Sequence, residues 1–423
     1  MRITVVSYGT RGDIQPMVAI AHALRARGHD VLLGTPENHV AFARATGLEV
    51  LPIAGSSEEI LESPEGRAWV ERGDLLRLVR AMITTHERLA DDVERDISTL
   101  TEDCDGVITG LLPATMVRVF SELRSFPMWV AHTFPSLPSR EVVHGALHFP
   151  DWVPGAARYA TTKALAWSIW RAMGRTDKRI RHRHGLPQAR EDAPMALWRA
   201  GHPSLHLWSP LLQPRPQDWP HDIVTGFCAL PPELRAGLGE SESFETLLPF
   251  LDEGPPPVYI GLGSMPIFDT EAAMDVVLRA LQRTGLRAIV SGALKEGARL
   301  RGSLPEHVRW IGPVDHDRLF PRCAAIVHHG GAGSTATSAR AGRPTLVAPV
   351  FGDQRYWGHR LETLGVGLVL PFRRWTPERL GDALQGLLQP SRVQAAAALG
   401  RAMQAERPGG EVVAETVEAL LAR

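Results

Sequence analysis

Short runs of aliphatic and β-branched residues alternate along the chain with stretches in which apolar positions recur every three or four residues. This is the pattern of parallel sheets built from strand–helix–strand crossovers. The first unit is the clearest: residues 3–7 read as a buried strand, then Met17, Ile20, Ala21 and Leu24 fall at i, i+3, i+4 and i+7, and Gly28 supplies the helix stop. Residues 31–33, 48–53, 107–109 and 128–131 continue the strand series. From Gly155 to about His184 the rhythm becomes a long amphipathic helical run that carries Trp167 and Trp170 and ends in Lys178, Arg179, Arg181 and Arg183, a basic end of the kind usually left in solvent. Residues 209–220 hold four prolines and read as an extended linker. A second strand series follows at 258–262, 288–290, 308–311, 324–328 and 344–348.

The two series predict an α/β chain of two facing, Rossmann-like, doubly wound parallel-sheet domains with a cleft between them. The expected units are residues 1–213, residues 223–405, and a C-terminal helix over 406–423 that packs back on the first domain. A length of 423 residues with 44% hydrophobic content fills two cores of roughly 200 residues each. A net charge of −1 lacks the footprint of a general nucleic-acid binder. The three cysteines, Cys104, Cys228 and Cys323, are far apart, which argues against a disulfide framework or a CxxC metal site and suits a reducing cytoplasm. The N-terminus runs into its first strand without a charged leader, and no apolar stretch approaches about 18 residues. The expectation is a cytoplasmic protein with no transmembrane segment and at most weak peripheral membrane contact.

Candidate chemistry sits where the strands end. His328-His329-Gly330-Gly331-Ala332-Gly333-Ser334-Thr335 follows an apolar strand and opens an alanine-rich helix. Glycines let the backbone approach an anion, and the unpaired N–H groups of a helix start face it. The competing reading is a glycine-rich turn that merely permits tight packing. Adjacent strand residues point to opposite faces, so His328 and His329 do not chelate one metal; one faces a ligand and the other holds the loop. Asp353-Gln354 lies at the next strand end, where it suits a polyhydroxylated sugar, or where Asp353 caps a helix. At the end of the first strand, Tyr8-Gly9-Thr10-Arg11-Gly12-Asp13 lacks the GxGxxG dinucleotide pattern. Asp13 is either a cap or a site carboxylate there.

Three stretches together resemble the GT-B glycosyltransferases that use nucleotide sugars on lipophilic acceptors, particularly the sterol glucosyltransferases and the bacterial glycopeptide and macrolide glycosyltransferases. They are Gly9 to Pro16, Ile260-Gly261-Leu262-Gly263-Ser264-Met265, and the run from Trp310 through the glycine-rich octet to Phe351-Gly352-Asp353-Gln354-Arg355-Tyr356-Trp357-Gly358. The resemblance implies an inverting, metal-independent hexosyltransferase without a cofactor, whose donor substrate is UDP-glucose or, alternatively, a dTDP-deoxysugar. A sugar-nucleotide 2-epimerase on the same fold is the non-transferring alternative. Asp13 takes the place of the catalytic base; the plant enzymes have a histidine there, oriented by an aspartate whose place is held by Gly110. His329 falls on the diphosphate-binding histidine, with Gly331, Gly333, Ser334 and Thr335 around the phosphates. Asp353 and Gln354 fall on the sugar-holding pair, and Gly263 and Ser264 on the turn that closes over the donor. Gly12 and Val314 complete the expected donor side. The base-stacking tryptophan of the plant enzymes falls on Ile311, and their ribose-binding glutamate on Thr337. Thr10, His132, Phe134 and Trp152 are the expected acceptor contacts.

Overall fold

A computed structural model describes residues 1–56, 75–147, 149, 152–236, 238, 244–263, 269–291 and 304–422, with backbone alone for 75–82. Seven strands form the first sheet: β1 (Arg2–Val6), β2 (Asp30–Pro36), β3 (Glu49–Ile53), β4 (Gly106–Gly110), β5 (Met128–His132), β6 (Leu205–His206) and β7 (Ile223–Val224). Six form the second: β8 (Val258–Gly261), β9 (Ala288–Ser291), β10 (Val308–Ile311), β11 (Ala325–His328), β12 (Thr345–Val347) and β13 (Gly367–Val369). The spatial orders are β3-β2-β1-β4-β5-β6-β7 and β10-β9-β8-β11-β12-β13, and neighbouring strands pair in parallel. Strand order reverses at β1/β4 and at β8/β11, which opens a crevice at the carboxyl end of each sheet. The expected doubly wound α/β architecture is the observed one.

The first core explains why the two chain ends meet. Ile14, Met17, Val18, Ile20, Ala21 and Leu24 of the Arg11–Ala26 helix are buried against Ile3, Val5, Val31 and Leu33 on one side and Val413, Ala414 and Val417 of the Gly409–Leu421 helix on the other. A Cβ on Gly410 would sit 3.1 Å from the Ala19 carbonyl oxygen, so close helix approach depends on that glycine. Removing one such side chain, as in Leu24→Ala, costs about 2–5 kcal/mol. Glu418 closes the contact with Arg27 at 2.6 Å and His29 at 2.7 Å.

One expectation needs correction. Residues 209–220 are not an extended linker but a run of turns, with the Leu212 and Gln213 N–H groups donating to the Ser209 carbonyl at 3.0 and 3.1 Å, and they do not divide the domains: Trp208, Leu212 and Trp219 are buried, and the Trp219 indole donates to the Pro138 carbonyl at 2.9 Å. Apolar side chains fold the segment onto the first half, and the chain then adds β7 to the first sheet. The change of sheet therefore falls between Val224 and Val258. The basic end of the Gly155–Arg183 helix is solvated as expected at Lys178, Arg179 and Arg183, and of the four cations Arg181 alone is buried. Arg179 and Arg183 pair with Asp91 at 3.2 and 3.0 Å, Arg183 reaches Glu94 at 2.6 Å, and Arg181 pairs with Glu122. Among the described residues no helix is long and apolar enough to cross a membrane.

Candidate active site

The first sheet delivers Asp13 to the cleft. The turn after β1 passes through Gly9 at φ +138°, where a Cβ would come within 2.3 Å of the Asp13 Oδ2 atom, so the turn needs glycine. Thr10 then starts the Arg11–Ala26 helix, and its backbone N–H donates to Asp13 Oδ2 at 2.8 Å while its hydroxyl donates at 3.2 Å. Asp13 is thus not the residue that begins the helix. It sits in the first turn and reaches back, with one carboxylate oxygen taken by the Thr10 donors. Burial raises its pKa, and the two Thr10 hydrogen bonds oppose the rise. The Arg11 guanidinium lies over the Phe42 ring at 4.8 Å.

The second sheet delivers the glycine-rich loop. His328 is enclosed: its Nδ1 accepts from the Gly330 N–H at 2.9 Å, and its Nε2 meets Ser338 Oγ at 3.1 Å. It is the histidine that holds the loop. His329 points the other way, against the Gly263 turn, where a Cβ would lie 3.0 Å from its Cε1 atom. Its Nδ1 has no partner among the described residues, and burial lowers its pKa to about 4, so the ring is neutral at pH 7. Gly330, at φ +97°, has no room for a side chain: a Cβ would meet Val347 at 2.5 Å and the Gln354 carbonyl oxygen at 2.8 Å. Gly331 precedes the Ala332–Arg340 helix, Gly333 faces open space, and Ser334 is half-buried in the first turn. These groups line the open helix start with donors.

The other expected donor positions are less open. Thr335 is fully buried, and its hydroxyl oxygen has no hydrogen-bond partner among the described residues. Val314 packs into an apolar cluster with Leu319 and Phe320, because the chain after β10 turns its side chain inward. Ile311 and Thr337, the positions to which the resemblance assigns base and ribose contacts, are buried too. Ser264 lies outside the described residues.

Asp353 heads the Gln354–Thr363 helix without a side-chain cap bond; its Oδ2 accepts instead from the Trp357 indole N–H at 3.0 Å. Burial, reinforced by the nearby Asp13 charge, pushes Asp353 up to about 7. The C-terminal half therefore contributes a second perturbed carboxylate close to the first. Gln354 is buried, and its Oε1 accepts from the Val350 and Phe351 N–H groups at 2.8 and 3.1 Å. That amide oxygen clamps the loop after β12. The halves touch beside this point: Tyr356 donates to Gln213 Oε1 at 2.7 Å, Arg360 to the Leu212 carbonyl at 2.9 Å, and Trp208 meets Trp357 edge-on at 5.9 Å.

The expected acceptor contacts scatter. Thr10 is beside Asp13. Phe134 is half-buried against His144, ring centroids 5.7 Å apart. His132 is 1% exposed, with Nδ1 on Ser136 Oγ at 2.7 Å and its ring 5.1 Å from that of His206. Enclosure at the end of β5 holds its pKa well below the usual imidazole value, so it is a neutral interior group here and not an open contact. Trp152 projects into solvent at 80% exposure. Trp208 was not anticipated, and Tyr356 and Trp357 were named in the resemblance stretch without a role; the signal for Trp357 was its place four residues after Asp353 on one helix face.

Comparison with known proteins agrees with this geometry. Residues 3–141 match the glycosyltransferase family 28 N-terminal domain, and residues 278–420 match the erythromycin biosynthesis protein CIII-like C-terminal domain. The chain is 32% identical to the O-mycaminosyltylonolide 6-deoxyallosyltransferase of Streptomyces fradiae, over 96% of this chain and 94% of that one. It is also 32% identical to a sterol 3-beta-glucosyltransferase of Arabidopsis thaliana over 92% of this chain, though it spans 63% of that relative's length. The glycotransferase of kitacinnamycin has the same fold at a TM-score of 0.75, with 19% identity and 99% of each chain covered. A two-sheet GT-B fold, a phosphate-type cradle and a near full-length relative above 30% identity lead to one conclusion: the chain belongs to the glycosyltransferase family that joins a family 28 N-terminal domain to an erythromycin-CIII-like C-terminal domain.

Proposed function

We propose that the protein is an inverting, metal-independent hexosyltransferase that moves glucose from UDP-glucose to a hydroxyl of a lipophilic small molecule, with Asp13 as general base. The observation that carries this reading is the convergence of two perturbed carboxylates, Asp13 and Asp353, one from each half, beside a neutral cradle of glycine N–H groups, Ser334 and His329. The donor diphosphate sits on the helix start at Gly331–Ser334, and Asp353 accepts from sugar hydroxyls. The acceptor hydroxyl gives its proton to Asp13 as its oxygen attacks the anomeric carbon from the face opposite the leaving diphosphate, which inverts that centre. Charge builds on the diphosphate as the bond breaks, and the helix N-terminus with the His329 N–H is already aimed at it. These donors leave no step that needs a cation. Raising the Asp13 pKa makes it a better base than a free carboxylate near 3.9.

A dTDP-deoxysugar donor is the second reading, supported by the Streptomyces relative named as a 6-deoxyallosyltransferase. Turnover of labelled UDP-glucose and thymidine-diphosphate sugars, each with and without sterol, flavonoid or macrolide alcohols, separates the two. Donor consumption with no need for an alcohol would point to epimerase-type chemistry instead. The three cysteines, none in a disulfide, suit work in the reducing cytoplasm.

Weak contact with an anionic membrane surface belongs to the same proposal. Trp152 and Trp167 are 80% and 60% exposed, and Lys163, Arg171, Arg175 and Lys178 on the same helical stretch have no carboxylate partner among the described residues. Trp167 and these cations recur at three- and four-residue spacing along one exposed helical stripe, which suits a lipid headgroup layer. Flotation with phosphatidylglycerol vesicles that fails at low salt would remove this part.

A further inference from the structure

Trp357 lies in the stretch that carries the family resemblance but has no role in the mechanism above, yet it touches both halves and one of the two perturbed carboxylates. It is 1% exposed, so its ring is locked in place. Its indole N–H donates to Asp353 Oδ2 at 3.0 Å. Its ring meets Trp208 of the first half edge-on, at 5.9 Å and 63°. Trp208 is itself fixed, its indole donating to the Gln213 carbonyl at 3.0 Å, and the Gln213 side chain accepts from Tyr356 at 2.7 Å. The 208–213 segment of one half therefore grips two consecutive residues of the helix that Asp353 begins.

We propose that Trp357 is a positioning residue: it holds one oxygen of Asp353 so that the other meets the donor sugar, and it ties that orientation to the contact between the two halves. The inference rests on the donor-site reading above. Its physical basis is the character of each group. A carboxylate on a short side chain rotates freely unless one oxygen is held, and Asp353 makes no cap bond to its helix that would hold it. An indole N–H only donates, so it pins one oxygen without competing for the sugar hydroxyls that must donate to the other. It also favours the ionised carboxylate against burial and the nearby Asp13, both of which raise the Asp353 pKa. Orientation and ionisation thus depend on the same hydrogen bond.

The test is titration calorimetry of Trp357→Phe with UDP and with UDP-glucose between pH 6 and 8, using the full chain. UDP affinity should stay within about twofold, because the phosphate cradle is untouched. UDP-glucose affinity should fall about tenfold, the lower range for losing a hydrogen bond to a charged group. The loss should deepen toward pH 6, because a carboxylate without its donor protonates at higher pH. Asp353→Ala, which removes the acceptor, should abolish the difference between Trp and Phe at position 357. If the Phe variant melts too early to assay, β-(3-benzothienyl)alanine at position 357 keeps the ring shape and replaces the N–H with sulfur. Equal losses for UDP and UDP-glucose, or no loss for either, would overturn the inference. Failure of the wild type to bind UDP, UDP-glucose or their thymidine counterparts would instead remove the donor-site reading and this inference with it.

Discussion

Replacing Asp13 with Asn isolates proton transfer from almost everything else the residue does. In the folded chain one oxygen, Oδ2, accepts from the Thr10 N–H at 2.8 Å and from the Thr10 hydroxyl at 3.2 Å. An Asn amide oxygen can take both bonds, so the first turn of the helix should keep its geometry. The loss is that of a charged acceptor, and the helix N-terminus loses one favourable negative charge, about 0.3–1 kcal/mol. Against this, removing a carboxylate that burial disfavours relieves some desolvation, so the melting temperature should move by only a few degrees. The chemical consequence is far larger. A positioned general base contributes about 10²–10⁴ in rate, and Asn cannot accept the proton, so kcat should fall by that factor. UDP affinity should change little, because Asp13 serves the acceptor oxygen. In the wild type, activity should be lost on acidification through a pKa above the ordinary carboxylate range, because the raised Asp13 must be ionised to act as base. The assay is kcat, donor Kd and melting temperature on one preparation. Near-normal kcat with a much lower melting temperature would show Asp13 to be purely structural and would refute the reasoning.

Three further outcomes follow from the same geometry. His329→Ala should weaken UDP binding by about 1.5–3 kcal/mol in calorimetry, since a neutral imidazole N–H still donates to a charged phosphate; unchanged affinity would remove the cradle as the donor site. Gly9→Ala should lower both stability, by about 1–3 kcal/mol in denaturant titration, and kcat, because the +138° turn strains and the new Cβ displaces the Asp13 carboxylate; an indifferent variant would contradict the described turn. EDTA should leave turnover intact, and a strict requirement for added magnesium or manganese would count against phosphate binding by protein donors alone.

Hydropathy pattern made most of the architecture readable, because a strand buried on both faces and a helix with one apolar stripe leave different periods in the sequence. β1, its helix and the glycine-rich turn after β11 fall where that pattern puts them. Proline content misled at 209–220: proline excludes a helix, but it does not reveal that Trp208, Leu212 and Trp219 bind the segment to the first half. At the site, ungapped position matching identifies a residue without its side-chain direction. It therefore could not distinguish Ser334, accessible in the first helical turn, from Thr335, fully buried beside it. The choice between cap and site carboxylate for Asp13 and Asp353 was equally invisible, because it depends on where Thr10 and Trp357 place their N–H groups.

The central claim is single displacement of a donor's diphosphate by an acceptor hydroxyl, and the anomeric configuration of the product tests it most directly. Wild-type protein should be incubated with UDP-α-glucose and a sterol or macrolide alcohol, and the anomeric proton coupling of the purified glycoside read by NMR. The account predicts a β-glycoside, formed only when the alcohol is present. An α-glycoside, or donor turnover that proceeds equally without an acceptor, would contradict it.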